Sequence, residues 1–96
     1  LSKALWEKSM GLDTVEFVVK IEEEYELSIP DEDLEHLGVV GDLAVYVTNA
    51  CEIQNGVILE FELVYENLKS ILHKDYGIAI KDINLKSHVV KDLGMD

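Results

Sequence analysis

Between Leu12 and Leu37 the chain reads LDTVEFVVKIEEEYELSIPDEDLEHL, and apolar residues recur there at helical spacing: Phe17, Ile21 and Tyr25 at i, i+4 and i+8, with Val18 beside them. A stripe of that period predicts an amphipathic helix whose apolar face enters a core. A turn of about 100° per residue gathers Asp13, Glu16 and Glu23 on the opposite side, with Val15 and Val19 along its edge. The outward face is therefore acidic with an apolar seam. Lys20 stands in the middle of the acids, placed to pair with Glu16 or Glu23. Ile29-Pro30 is expected to end the helix, because the residue before proline is pushed out of the α region, and Asp31 to cap a short helix through Leu37.

On the N-terminal side, Leu1 to Gly11 carries Leu1 and Leu5 one turn apart among good helix formers, which predicts a helix. Gly11 costs a helix interior about 1 kcal/mol relative to alanine, so a break or an N-cap is expected there. On the C-terminal side, Gly38 to Asp42 reads as a turn, with Asp42 as the N-cap of the apolar segment Leu43 to Val47. That segment, LAVYV, is β-branched and aromatic enough to be a strand on its own. Asn49 to Gly56 carries turn chemistry and reads as a linker. From Val57 the period is helical again, through Phe61, Val64, Tyr65, Leu68, Ile71 and Leu72, until Tyr76-Gly77. The rest is extended, with Ile78, Ile80, Ile83 and Leu85 available to pin a long loop to the core.

The central stretch resembles the second helix, loop and short third helix of an acyl carrier protein, in which D-S-L-D-x-V-E-L leads to E-E-E-F and then I-P-D-E. VVGDLAVYV is similar to the V-G-D-A-I-D-Y-I that opens that family's last helix, which favours helix over strand for LAVYV. LVYENLKSILHKDYGIAIKDINLKSHVVKDLGMD resembles the first helix and long first loop, ending on the D-L-G-x-D that precedes the family's modified serine. Together these segments cover about three quarters of the chain. The resemblance implies an all-α bundle of three to four helices and a carrier that catalyses nothing itself. It implies acyl groups held as thioesters on 4'-phosphopantetheine, in fatty-acid or related lipid or polyketide synthesis. Implied partners are a phosphopantetheinyl transferase and acyl-chain-processing enzymes with basic patches, which would meet Val15, Glu16, Val19 and Glu23.

Two departures from the family pattern stand out. The family's serine position is Gly11 here, preceded by Met10 where the family has aspartate. The order is also rotated: residues 1–48 match the second to fourth helices, 49–56 form the linker, and 57–96 match the first helix and long loop. This reads as a circular permutation, or as an extended second helix. A serine between Asp96 and Leu1 would write G-M-D-S-L, the family's attachment motif, so a residue after Asp96 is one candidate for the arm. Ser9, the nearest serine to Gly11, is another, and Thr14 in G-L-D-T is a third. A chain in this order is expected to be a monomer or a dimer that exchanges halves.

Composition narrows the function class further. Ninety-six residues, 48% of them hydrophobic, suit one modest core and one domain. Eight basic against twenty acidic residues give a net charge of −12, which repels nucleic acid and anionic membranes and favours cationic partners. No apolar run reaches the length of a membrane span and no signal peptide is evident, so a cytoplasmic protein is expected. Cys51 is the single cysteine, which excludes an internal disulfide. His36, His73 and His88 lack metal-ligand spacing, and the acids from Asp31 to Glu35 lack the central glycine of a calcium loop, so no metal is expected. The competing reading, motivated by Gly11, is an unmodified acidic interaction module that keeps the carrier fold.

Overall fold

A computed structural model describes the backbone of residues 3–95 and the side chains of residues 13–95. Its elements are α1 (Lys3–Tyr25), α2 (Asp31–Leu34), α3 (Val40–Asn55), α4 (Phe61–Tyr76) and a 3-10 turn at Ile80–Asp82. Among the described residues helices supply the architecture and no strand forms beyond one isolated bridge between Val39 and His88, so the expected all-α bundle is what the chain forms. LAVYV lies inside α3 and not in a strand.

α1 buries Phe17, Val18 and Ile21 and leaves Tyr25 half-buried, the stripe that the spacing predicts. Its backbone passes through Gly11 without a break. The cost of one glycine is about 1 kcal/mol, and uninterrupted helical bonding with Ala4, Leu5, Glu7 and Lys8 upstream outweighs it. The helix ends before Ile29-Pro30, with Glu26 in the left-handed region at φ 55°. Leu27 and Ile29 are both buried, and residues two apart share a side only in extended backbone. The Ile29 N–H then donates to Glu22 Oε2 at 2.8 Å. α2 is shorter than expected and Asp31 is its first residue, with Pro30 as the N-cap. Beyond Leu34, tighter turns replace the helix, such as Leu37 N to Leu34 O at 3.1 Å.

α3 differs most from expectation. It runs on through Asn49 to Asn55, so the expected linker is helical and only residues 56–60 join α3 to α4. Ala44, Val47, Ala50 and Cys51 continue one buried face through that segment. The polar residues that resemble turn chemistry serve a neighbour instead. Asn55 Nδ2 donates to the carbonyls of Tyr25 and Glu26, which the end of α1 leaves free, and Gln54 bonds both the N–H and the carbonyl of Ser28. α3 stops at Gly56, whose φ of 68° suits a residue without Cβ.

α4 buries Val64, Leu68 and Leu72 at i, i+4 and i+8 and packs on α3. It begins at Phe61, and residues 57–60 precede it as coil. In the following loop Ile83 is buried and Ile78 half-buried, but Ile80 and Leu85 are exposed and do not pin it. The backbone does. Val40 N–H donates to Ser87 O and Gly41 N–H to Leu85 O, both at 2.9 Å, and Val89 N–H returns a bond to Gly38 O at 2.9 Å. Free amides at the α3 N-terminus thus take loop carbonyls as partners. Asp42, expected as that helix's cap, lies exposed in its first turn instead. Residues from all four helices and the loop, Ile83, Val89 and Met95 included, form one buried cluster.

Candidate docking face and attachment position

The four residues expected to meet a partner share the outward side of α1. Glu16 and Glu23 are exposed, and Val15 and Val19 are half-buried between them, with Val15 touching the core. Lys20 does not serve mainly as an intrahelical partner. Its Nζ lies 3.9 Å from Glu16 but 3.2 Å from Asp75 Oδ2 on α4, and 4.9 Å from the centre of the Tyr76 ring. Tyr76 OH in turn donates to Glu16 Oε1 at 3.0 Å, and its ring meets Phe17 edge-on. Lys20 is therefore a clasp between α1 and α4, and its charge is spent inside the molecule.

Further along the same seam, Asn67 Nδ2 donates to Tyr25 OH at 2.8 Å and to the Glu24 carboxylate. Lys20, Glu23, Glu24, Ile71 and Asp75 line an open groove of about 380 Å³. Asp75 and Glu24 thus join the acidic surface. Glu24 is legible as one more acid on the helix, but nothing local to Asp75 marks it, because its place depends on how α4 lies against α1.

Two phenols report the local field. Burial, and then donation to the Glu16 carboxylate and the charges of Glu16, Asp13 and Asp75, push Tyr76 well above its ordinary value. Burial and donation to Asp33 at 2.7 Å push Tyr46 up to about 12. An unfolded tyrosine ionises near 10, so the stability these phenols lend is whole below that pH and is lost as pH rises through their folded values. Far-ultraviolet circular dichroism against pH should show unfolding that begins above pH about 10, and Tyr76→Phe should delay it.

The matched attachment position behaves differently. Gly11 and Ser9 both lie within the helical span Lys3–Tyr25, beyond the first turn. The free amides that favour an anion belong to a helix's first turn, so they are not available at either residue. The side chain of Ser9 lies outside the described residues. Thr14 is buried, 2% exposed, which removes its hydroxyl from an approaching enzyme. Gly11 supplies no oxygen. The residues present at the matched position therefore do not fit attachment of a phosphopantetheine arm.

The end of the loop nevertheless arrives at this point of α1. Met95 is buried and donates its N–H to Val89 O at 2.9 Å, after a left-handed turn at Gly94. Val89 borders a small cavity of about 10 Å³ together with Thr14, Phe17, Val18, Leu34 and Leu37. The two segments that flank the serine in the resemblance thus meet in space, one turn beyond Gly11. At about 10 Å³ the cavity holds no acyl chain as it stands.

The remaining candidates for chemistry are structural. Cys51 is buried, and burial pushes its thiol up. His88 Nδ1 accepts from the N–H groups of Val90 and Lys91, and His73 Nδ1 lies 2.9 Å from Ile78 O. Among the described residues no group of three or more acids, histidines or cysteines could hold a metal, and no helix is long and apolar enough to cross a membrane.

Comparison with known proteins finds acyl carrier proteins among the relatives. The chain is similar to the acyl carrier proteins of Clostridium perfringens strains SM101, ATCC 13124 and 13, each 49% identical over 42 residues. The match takes in 44% of this chain and 55% of each relative, so it spans about half the length of those proteins. No family model and no solved structure matches.

Proposed function

Because this chain is a relative of the acyl carrier proteins, we propose that it carries acyl groups as thioesters in fatty-acid or related lipid or polyketide synthesis. On this reading residues 1–48 stand for the family's second to fourth helices and 57–96 for its first helix and long loop. The observation that carries the reading is the junction of the loop end with α1. Val89 and Thr14 share one cavity there, and Val15, Glu16, Val19 and Glu23 follow along the same helix. None of Gly11, Ser9 and Thr14 offers the arm a hydroxyl at a helix N-terminus, so on this reading the arm sits on another residue. The arm supplies a thiol that holds the acyl group. The chain's own residues present the acidic, apolar-seamed face to transferases and acyl-chain-processing enzymes with basic patches.

A second reading, an unmodified acidic interaction module, is favoured by one observation: Gly11 stands where the hydroxyl is needed. Incubation with a phosphopantetheinyl transferase and coenzyme A, followed by intact mass and peptide mapping, separates the two. We expect a gain of one phosphopantetheine; a mass unchanged on every serine would establish the module.

A further inference from the structure

We propose that the outward face of α3 is a second docking surface, and that its occupant is a basic amphipathic helix of a partner protein. Val45, Asn49 and Ile53 follow at i, i+4 and i+8 and so form one stripe, about 12 Å long at 1.5 Å per residue. Val45 is 48% exposed and Ile53 82%, while Ala44, Val47 and Cys51 face the core. A helix that only packs inward carries polar residues on its outer side. This one presents β-branched apolar side chains there.

Beside the stripe, Tyr46, Asn49, Ala50, Ile53 and Gln54 line a shallow groove of about 220 Å³. Two of its residues are fixed from below. Tyr46 OH donates to Asp33 Oδ2 at 2.7 Å, and Gln54 is held by two bonds of 2.9 Å to the Ser28 backbone. A groove already set in this way loses little side-chain freedom on binding.

Charge selects the occupant. α3 contains no lysine or arginine, and the stripe has exposed Asp42 before one end and exposed Glu52 beside the other. The Tyr46–Asp33 bond also brings the acidic helix α2 alongside. An apolar side chain flanked by lysine or arginine matches this pattern. A second copy, also at −12, does not, nor does an anionic membrane. The face is distinct from the α1 surface of the proposed carrier function and does not depend on it.

The test uses the full chain labelled with ¹⁵N and a synthetic lysine–leucine peptide whose leucines fall on one helical face. A scrambled peptide of the same composition is the control. We expect shifts centred on Val45, Asn49 and Ile53 with the amphipathic peptide alone. Ile53→Asp should weaken binding about tenfold, the size of a central interface residue, although it adds a charge that attracts a cation. Glu16→Lys should leave the α3 shifts in place. Equal binding of the scrambled peptide, tighter binding by Ile53→Asp, or shifts confined to α1 would overturn the proposal. So would α3 shifts that track protein concentration without peptide, since the occupant would then be a second copy.

Discussion

Phe17→Ala is expected to cost about 4 kcal/mol of folding stability, the middle of the range for a buried aromatic. The ring is 1% exposed and fills the space between Tyr76 and the small cavity beside Thr14 and Val89. Its centroid lies 6.1 Å from that of Tyr76 at an interplanar angle of 81°, an edge-to-face pair worth about 1 kcal/mol beyond burial. Without the ring the cavity grows, and each Å³ left unfilled costs about 24 cal/mol. Tyr76 also loses the surface that aims its hydroxyl at Glu16 and its ring at Lys20, so the α1–α4 clasp loosens with the core. Urea denaturation should show the loss as a lower midpoint with similar slope, and thermal melting as a fall of roughly 20 °C. Phe17→Leu should cost less than half as much. A loss under about 1 kcal/mol for Phe17→Ala, below the range for any large buried side chain, would mean that Phe17 does not fill the core in this way.

Gly41→Ala is the second large effect, and its cause is backbone. A Cβ at Gly41 would stand 2.6 Å from Leu85 O, the carbonyl that accepts the Gly41 N–H at 2.9 Å. No rotamer relieves that contact, so the loop must retreat from the start of α3. The bonds from Gly41 to Leu85 and from Val40 to Ser87 then weaken together. Overpacking and the loss of satisfied amides combine to about 3 kcal/mol. Gly38→Ala is the informative contrast. There the Cβ would come 2.2 Å from Nε2 of His88, an obstacle made of side chain. Adding His88→Ala should recover part of the Gly38→Ala loss in a double-mutant cycle, at the expense of the acceptor that His88 Nδ1 gives Val90 and Lys91. The same addition should not rescue Gly41→Ala. Equal rescue of both would show that the loop is not held at Leu85 as described.

Much of the bundle is written locally. The stripes of Phe17 and Ile21 in α1 and of Val64, Leu68 and Leu72 in α4 have the helical period, and each is buried. Gly77 ends α4 at φ 70°, where Tyr76-Gly77 marks the stop. What local pattern could not supply is the use to which polar residues are put. Asn49 to Asn55 has the composition of a turn, yet it is helical because Ala50 and Cys51 complete a buried face and because Gln54 and Asn55 finish the end of α1. Leu85 and Ile80 are apolar yet exposed, since the loop is held by carbonyls at residues 85 and 87 and not by side chains.

The candidate site divides in the same way. Val15, Glu16, Val19 and Glu23 share a side of α1 because helical rotation alone puts them there. The partner of Lys20, Asp75, lies 55 residues away, and only the packing of α4 against α1 brings it within 3.2 Å. Gly11 is a different case. The resemblance identifies the position, but the helix that passes through it removes the free amides expected there.

The most direct test of the account is the rate at which a phosphopantetheinyl transferase loads the chain, measured at several salt concentrations for wild type and Glu16→Lys. Charge at an interface acts mainly on association. Loading is expected to slow as salt rises, and Glu16→Lys to load more slowly with a flatter salt dependence while its circular dichroism is unchanged. Loading of Glu16→Lys at the wild-type rate across the salt series, with the fold intact, would contradict docking through this face of α1.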